Sequence, residues 1–556
     1  MEILQAASDK KVQQSSKRFT TSLVAFFIAL PVVIITLTMY SNPSVMDNII
    51  TTSAIPLGGI RVLNISDDNI STESEVGEKL QNDKEKLLHG LLASGFDEAS
   101  CISRLQSHLY RKPSPHNPSP YLISKLRSYE QIHRRCGPNT RAYHRSMTKI
   151  VKNHGASASA SASAMCKYIV WTPANGLANQ MLSIAATFLY AILTDRVLLV
   201  KIGEDKHGLF CEPFLNSTWI LPEKSPFWNV GQQVQTYQSI LQKNMANNST
   251  IEEHLLPSVL FVNLAHTRDD PEKFFHCNHS QDLLKKVPLL ILQSDQYFVP
   301  SLFMTPIFNL KINKMFPEKD TIFHHLGRYL FHPSNEAWRL ISKFYQEHLA
   351  NAAEKLGLQI RLFNGDSVPK QAVMDVLMSC TLENKLLPEI STQNSVSSSV
   401  KNLTVKAVLV ASLYQDIGDN LRAMYLKRPT VTGELIEVFQ PSHEGHQKIN
   451  DYEHYLKAWT DIYLLSLSDV LVTTHMSTFG YVAQSLGNLR PWLLYQLASN
   501  DTRVPQCTQD FSMEPCYHFA PRHYCNGMPI EDFSSFLYLR KCKDISTGVK
   551  LVNDPV

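Results

Sequence analysis

The sequence predicts an α/β protein with two units, each built on a mainly parallel sheet. Short apolar or β-branched runs alternate with longer helical patterns over residues 168–495, and this alternation is typical of parallel strands connected by helices. The chain has 556 residues, enough for more than one domain. A separate uncharged run near the N-terminus, 19–40, predicts a membrane anchor that precedes both units.

The predicted strands are short runs rich in Val, Ile and Leu. They are Tyr168–Thr172, Val197–Ile202, Leu260–Ala265, Leu289–Gln293, Leu358–Phe363, Ala407–Ser412, Leu435–Phe439, Asp469–Thr473 and Trp492–Tyr495. The helical patterns between them are Leu177–Thr194, Glu336–Leu356, Pro369–Leu386 and Tyr452–Tyr463. We therefore expect a first α/β domain over 96–335 and a second one over 336–556, which includes a C-terminal tail.

The N-terminal region predicts a single-pass type II topology. The uncharged run over 19–40 would be roughly 33 Å long as a helix at ~1.5 Å per residue, enough to cross a bilayer core. A cleaved signal peptide is the alternative, but the apolar run is long and no clear cleavage site follows it. Lys10, Lys11, Lys17 and Arg18 precede the run, so we expect residues 1–18 in the cytosol. Residues 41–95 then form a polar stem in the lumen.

Glycosylation sequons and cysteines agree with a lumenal location. Sequons occur at Asn64, Asn69, Asn216, Asn247, Asn248, Asn278, Asn402 and Asn500. The ten cysteines can pair in an oxidising compartment. The segment CYHFAPRHYC (516–525) contains Cys and His, but its spacing matches no standard zinc site and disulfides are favoured. The net charge of +3 argues against nucleic acid as a partner.

The stretch DVLVTTHMSTFGYVAQSLG (469–487) predicts a strand, a Ser/Thr turn and a helix. The helix should begin at Ser477 and Thr478 and end at Gly487. Its apolar face comprises Phe479, Val482, Ala483 and Leu486. A helix N-terminus at the carboxyl end of a parallel strand offers free N–H groups to an anion. An ordinary turn with an N-cap explains the same residues.

This stretch and the following LRPWLLY resemble the plant xyloglucan-type fucosyltransferases, which transfer L-fucose from GDP-fucose to a galactose of a cell-wall glycan. The similarity extends from about Phe96 to Val552 and includes FHHLGRYLFHPSNEAW (323–338) and TVTGELIEVFQPSHE (430–444). The resemblance implies a GT-B-like architecture, in which two Rossmann-like domains face a cleft. It also implies a Golgi enzyme that inverts the donor linkage, with xyloglucan as the default acceptor and arabinogalactan proteins as the alternative.

Arg361 is the predicted contact of the donor diphosphate. It lies in GLQIRLF (357–363), where the strand alone would suggest a structural ion pair, because a buried charge needs a partner. The family has a similar segment whose Arg contacts the GDP phosphates, so the resemblance implies a bidentate contact from Arg361. Donor contacts are also expected from Ser477, Thr478, Phe479 and Gly480. The sequence contains no Asp-X-Asp triplet, and we expect neither a metal nor another cofactor.

Two segments of the first domain are the predicted acceptor side. In GLANQ (176–180), Gly176 and Asn179 would contact the acceptor, and a tight turn is the alternative reading. Ala178 and Gln180 stand where the family has glycine and arginine, which could change acceptor choice or activity. In LLILQSDQYFVPSLF (289–303), Asp295 could orient the acceptor hydroxyl, accept its proton, or only cap a turn.

The sequence also fits two other functions. A non-catalytic glycan-binding protein could keep the fold, and an enzyme could use a different nucleotide sugar. The segment VFQPSH (438–443) could line a guanine pocket or form a plain loop. The expected partners are GDP-fucose, a galactose-bearing glycan and the Golgi membrane, without nucleic acid, and a homodimer is left open.

Overall fold

The computed structural model describes residues 84–152, 165–229, 234–247, 256–266, 274–363, 369–391, 404–426, 428–495 and 506–553. These residues form an α/β fold with two mainly parallel sheets, which confirms the predicted fold class at this level. The predicted tail 1–18, the anchor 19–40 and most of the stem 41–95 lie outside the described residues. Within the described residues, none of the helices combines the length and apolar character needed to cross a bilayer.

The first sheet has four parallel strands in the order β2-β1-β4-β3. They are β1 Tyr168–Thr172, β2 Val197–Val200, β3 Val259–Asn263 and β4 Leu289–Gln293. The accompanying helices are α1 Ile102–Gln106, α2 Pro120–Cys136, α3 Arg141–Lys152, α4 Leu177–Leu193, α5 Tyr237–Asn247, α6 Asn278–Lys286, α7 Val299–Phe303, α8 Pro306–Met315 and α9 Ile322–Leu330. We call the described residues between 84 and 330 the first lobe. Helix α4 is buried along almost its whole length, which explains its strongly apolar sequence.

The second sheet has six strands in the order β10-β9-β8-β5-β6-β7, all parallel except β10. They are β5 Glu354–Ile360, β6 Val405–Ser412, β7 Leu435–Phe439, β8 Val470–Thr474, β9 Trp492–Leu494 and β10 Cys507–Gln509. The helices of this part are α10 Asn335–Phe344, α11 Lys370–Glu383, α12 Gln415–Leu426, α13 Tyr452–Leu465 and α14 Thr478–Gly487. We call the described residues between 335 and 495 the second lobe.

The nine predicted strands are all present, but the predicted helix Glu336–Leu356 is wrong at its C-terminal end. Helix α10 ends at Phe344, a π-helical turn follows over Tyr345–Leu349, and β5 already begins at Glu354. The reason is a two-residue period, since Leu356, Leu358 and Ile360 all pack into the apolar cluster on one face of the second sheet. Arg361 therefore follows the end of its strand and does not lie within it.

The two lobes share one buried apolar cluster, in which α4 of the first lobe packs against α13 and α14 of the second. The predicted boundary between domains 96–335 and 336–556 stays a prediction, because the described residues belong to one compact unit. The C-terminal segment 506–553 contributes β10 to the second sheet. It also contains an antiparallel ribbon of β11 Leu539–Lys541 and β12 Val549–Leu551.

All ten cysteines form disulfides. The pairs are Cys101–Cys211, Cys136–Cys166, Cys277–Cys525, Cys380–Cys507 and Cys516–Cys542. The preference for disulfides over zinc in segment 516–525 is thus confirmed, since its two cysteines belong to different bonds. The bond between Cys277 and Cys525 joins residues 248 positions apart and attaches the C-terminal segment to the first lobe.

The predicted glycosylation sites are only partly covered by the structure. Asn216 and Asn278 are exposed, as a modified asparagine must be. The other six asparagines lie outside the described residues or, for Asn247, have a side chain outside them. Glycosylation stays a prediction at all eight positions.

Candidate functional site

The candidate site lies where the carboxyl edges of the two parallel sheets meet. Asn179 in the first turn of α4 connects both sides of this site. The Thr478 hydroxyl at the start of α14 donates to Asn179 Oδ1 at 2.9 Å. The Asn179 amide in turn donates to the backbone oxygen of Asp295 at 3.3 Å. Three predicted site residues from separate segments are therefore brought together by direct hydrogen bonds.

Arg361 occupies the first position after β5 and is half-buried. Its backbone N–H donates to Thr474 Oγ1 at 2.9 Å, which fixes the start of the loop. Its guanidinium donates to the neutral Gln447 side chain, with 3.1 Å between Nη2 and Oε1. Within the described parts of the chain, no ion pair involves Arg361. A guanidinium has five N–H donors, so this group can still bind an anion in a bidentate manner.

The turn before α14 places a helix N-terminus at the end of β8. Met476 has a left-handed backbone with φ 58°, and its N–H donates to Asp544 Oδ2 at 3.0 Å. Gly480 is needed for close packing, because a Cβ at this position would lie 1.9 Å from Thr473 Oγ1. The helix therefore sits directly on its own strand. The N–H groups of a first helical turn have no partner within the helix and are directed at whatever binds there.

The side chains of this stretch have structural uses of their own. Ser477 occupies the N-cap position of α14, but its side chain makes no capping hydrogen bond. The alternative of an ordinary turn with a side-chain N-cap therefore does not describe this turn. The hydroxyl of Thr478 is engaged by Asn179, and the ring of Phe479 packs against the shared apolar cluster. The helix ends at Gly487 as expected, and Asn488 adopts the left-handed conformation after it.

Asp295 is buried, with 1% of its surface exposed, and both carboxylate oxygens accept hydrogen bonds. Oδ2 accepts from the side-chain amide of Asn175, and Oδ1 accepts from Gln296 Nε2 at 3.1 Å. Its negative charge adds to the effect of burial in raising the pKa of the nearby Tyr517. The carboxylate therefore holds the turn after β1 in place from the neighbouring strand.

The two departures from the family pattern have local structural explanations. The left-handed residue of the turn is Asn175, with φ 58°, whereas Ala178 lies inside α4 and is not strained. Gln180 is buried, and its Nε2 donates to Asn175 O at 2.7 Å. Gly176 lets the second lobe approach, because a Cβ there would lie 3.3 Å from Gln447 Nε2.

Gln447 and Asp544 are site residues that the sequence analysis missed. Gln447 lies in the loop between β7 and α13, accepts from the Arg361 guanidinium, and has its Nε2 3.3 Å from where a Cβ on Gly176 would lie. Asp544 comes from the C-terminal segment, accepts from Met476 N–H and also accepts from the Tyr481 hydroxyl. Burial and the adjacent carboxylate raise the pKa of Tyr481 well above its ordinary value. Neither residue stands in a motif, so no local signal could have identified them.

The loop after β7, which begins with the predicted VFQPSH segment, is held by side-chain hydrogen bonds. Gln440 Nε2 donates to Ser412 O and Tyr414 O, both at 3.1 Å. The Ser442 hydroxyl donates to Asp461 at 2.5 Å, and burial raises the pKa of Asp461 to about 7. The loop that presents Gln447 is thus anchored at its start, while a role in guanine binding stays a prediction.

Two groups of potential metal ligands occur among the described residues. They are His276 with Cys277 and Cys525, and Cys516 with Cys542 and Asp544. Each group contains a disulfide, whose sulfurs are not the thiolates that bind metals. These groups are therefore explained as disulfides with neighbouring polar side chains.

Comparison with known proteins places the chain among named relatives. The xyloglucan fucosyltransferase family matches residues 61–526. A galactoside 2-alpha-L-fucosyltransferase of Arabidopsis thaliana is 48% identical over 469 residues, covering 84% of this chain and 83% of the relative. The enzyme of that name from Pisum sativum is 45% identical over 495 residues, covering 88% and 84%.

A solved structure agrees with these sequence matches. It is a mutant of Arabidopsis thaliana FUT1 in complex with GDP, with 47% sequence identity and a TM-score of 0.77. The match covers 84% of this chain and 100% of that one. The family match spans well over half of the chain, and the relatives are similar over most of their length. The chain therefore belongs to the xyloglucan fucosyltransferase family, as its sequence motifs indicated.

Proposed function

We propose that this protein transfers L-fucose from GDP-fucose to a galactose hydroxyl of a cell-wall glycan, with xyloglucan as the default acceptor. Relatives of similar length are galactoside 2-alpha-L-fucosyltransferases, and a similar structure holds GDP. The observation that carries the proposal is the position of Arg361. Arg361 directly follows the carboxyl end of β5, and its backbone N–H donates to the side chain of Thr474 at the end of β8, the strand that leads into α14. Within the described residues, its guanidinium donates to a neutral amide, that of Gln447.

The donor half of the reaction needs stabilisation of the charge that develops on the leaving diphosphate. Arg361 can provide two parallel N–H donors to phosphate oxygens, and the first turn of α14 can provide backbone N–H groups. Ser477, Thr478, Phe479 and Gly480 contribute mainly through this backbone, because the Thr478 hydroxyl is bonded to Asn179 and the Phe479 ring is packed in the apolar cluster. The Ser477 hydroxyl makes no capping bond and can also donate to the diphosphate. We expect these donors to suffice without a metal.

The acceptor half needs a galactose hydroxyl in line behind the anomeric carbon. Gly176 and Asn179 lie across from the donor helix, at a suitable place for this hydroxyl. Attack on the face opposite the diphosphate gives an α-L-fucoside from the β-linked donor. Asp295 positions the turn, since both its oxygens already accept hydrogen bonds, and the hydroxyl proton can then leave through water.

The cellular setting is part of the proposal. We place the enzyme in the Golgi membrane as a type II protein in a GT-B-like arrangement, with its anchor at 19–40 and the described residues in the lumen. Five disulfides support an oxidising compartment. Arabinogalactan proteins are the alternative acceptor, because their glycans also present a galactose.

The test incubates the detergent-solubilised full chain with labelled GDP-fucose and a panel of galactosylated xyloglucan oligosaccharides and arabinogalactan proteins. We expect transfer to xyloglucan that survives a chelator. Arg361→Ala should lose both transfer and calorimetric binding of GDP. Arg339→Ala, which removes an exposed arginine from α10, is the matched control and should behave as wild type.

Three outcomes would change the proposal. Transfer by Arg361→Ala at a wild-type rate would remove the assigned donor contact. Transfer only to arabinogalactan proteins would replace the acceptor, and loss of transfer with chelator would replace the metal-independent mechanism.

A further inference from the structure

A cavity of about 500 Å³ lies between the two lobes, and its lining includes none of the residues assigned above. It is lined by Ile202, Glu204, His207, Glu223 and Tyr452. The first four residues belong to the first lobe, and Tyr452 is the first residue of α13 in the second lobe. A volume of this size lies in the ordinary range for a small-ligand site.

The cavity is close to the proposed site of transfer. Ile202 follows the carboxyl end of β2, and β2 is the direct neighbour of β1 in the sheet. Adjacent strands lie about 4.8 Å apart, so Ile202, in the cavity lining, follows a strand directly beside the one that leads to the turn with Gly176. In the second lobe, Tyr452 ends the loop that presents Gln447 to Arg361. A chain of sugars that starts at the transfer site can therefore extend into the cavity.

The wall of the cavity is held in a fixed shape. The Tyr452 hydroxyl donates to Glu336 Oε2 at 2.6 Å, which orients the ring. On the other side, the short helical turn Glu204–Lys206 is attached to α13, because Lys206 Nζ lies 4.1 Å from the centre of the Tyr455 ring. A site that is already formed loses little ordering entropy when a ligand binds.

The lining has the chemistry of a carbohydrate site. Glu204 and Glu223 are exposed, and neither is in an ion pair within the described parts of the chain. Carboxylates accept hydrogen bonds from sugar hydroxyls, and an aromatic ring such as that of Tyr452 can cover the apolar face of a pyranose. Two unpaired carboxylates also repel anionic ligands, which makes the cavity unsuitable for a nucleotide or an acidic polysaccharide.

We propose that this cavity is an acceptor subsite that binds a neutral sugar unit next to the galactose that receives fucose. This inference rests on the proposed function for the identity of the acceptor. Binding energy from such a remote unit favours long acceptors over short galactosides, because only the long ones reach the cavity.

The test compares acceptors of different length in the full chain with Glu204→Ala and Glu223→Ala combined. We expect the KM for a galactosylated xyloglucan oligosaccharide to rise about tenfold, which corresponds to the loss of one or two hydrogen bonds. The KM for methyl β-galactoside and for GDP-fucose should not change. The subsite would be overturned if KM rose equally for the oligosaccharide and for methyl β-galactoside, or if KM rose for neither acceptor.

Three additional variants separate the effect of ring stacking from the effects of charge and of folding. Tyr452→Ala should produce a similar length-dependent rise, whereas Tyr452→Phe keeps the ring and should have a smaller effect. Glu453→Ala removes an exposed carboxylate that does not line the cavity and is the matched control.

A binding measurement keeps this test independent of the transfer reaction. Calorimetric titration with the unfucosylated oligosaccharide should give weaker binding to the double glutamate variant than to wild type. If the wild-type chain transfers no fucose but still shows this difference, the proposed function fails, and the cavity remains as a glycan-binding site without a role in transfer. Equal binding to both proteins overturns the subsite whether or not fucose is transferred.

Discussion

Arg361 and Asp295 occupy comparable positions in the two sheets but are used differently. Each lies just after a parallel strand, at the edge where the lobes meet. Arg361 is half-buried, and its guanidinium contacts one neutral amide. Asp295 is 1% exposed and has a donor on each oxygen. A charge with unused bonding capacity is suited to a ligand, whereas a buried carboxylate that already accepts a hydrogen bond on each oxygen is suited to holding structure.

The largest effect that follows from this comparison is expected for Arg361→Lys. Lysine keeps the charge but cannot form two parallel hydrogen bonds with a diphosphate. We expect kcat/KM for GDP-fucose to fall by about 10²–10³, as for removal of a strong transition-state donor. Thermal stability should not change, since the fixed bond at this position comes from the backbone N–H. A lysine variant with half of the wild-type activity would mean that only charge matters here.

A smaller effect on transfer is expected for Asp295→Asn. The new amide group would face the donors of Asn175 and Gln296, so one hydrogen bond at the turn becomes a repulsive contact. We expect a loss of about 1–3 kcal/mol in unfolding free energy and a roughly tenfold loss in kcat. Urea unfolding and initial rates measure these two quantities. A loss of activity beyond about 10³ without any loss of stability would instead identify Asp295 as the general base and break the comparison.

The sequence predicted the strands better than it predicted the contacts between their ends. The bounds of β1 and β4 were predicted correctly, because each is an apolar run that stops abruptly at polar residues. Helix α14 was also predicted well, since a Ser/Thr turn and a glycine mark its ends. The C-terminal end of α10 was predicted wrongly, because the apolar residues up to Leu356 fit both a helix and a strand.

The contacts of the site depend on positions far apart in the chain. Arg361 was found through a family motif, but its partner Gln447 lies in an exposed loop without a pattern. Asp544 reaches the start of α14 from the C-terminal segment, which a disulfide attaches to the first lobe. No periodicity or spacing encodes such a meeting, so only the tertiary structure could reveal it.

Asp461, which anchors the start of the loop that carries Gln447, gives a prediction for how stability depends on pH. Its pKa is raised to about 7 by burial, above the ordinary value of about 3.9 that it regains on unfolding. Between these two values the unfolded chain releases this proton while the folded chain keeps it, so stability falls as pH rises. In Asp461→Asn this contribution is absent. As the pH rises from 5 to 7, we expect the unfolding free energy of the variant to increase relative to that of wild type by up to about 1.4 kcal/mol per pH unit.

Thermal or urea unfolding of both proteins at several pH values gives this difference. Glu514, whose pKa is raised to about 8 by burial, should behave alike in the two proteins and cancel in the comparison. A constant difference between the two proteins across this range would mean that Asp461 is already ionised at pH 5. The Ser442 hydroxyl at the start of the loop would then donate to a charged carboxylate.

The smallest effect is expected for Gln447→Ala, which removes the neutral partner of Arg361. The lost bond is exposed, so stability should change by less than about 1 kcal/mol, and the KM for GDP-fucose should rise about twofold to tenfold. Gln447→Glu sharpens the result, because a carboxylate in the same place would pair with Arg361 and compete with the diphosphate. Its KM should exceed that of the alanine variant, with the gap narrowing as salt is added. If both variants bind GDP-fucose like wild type, Arg361 takes its working position without Gln447, and its availability for a ligand comes from β5 and Thr474 alone.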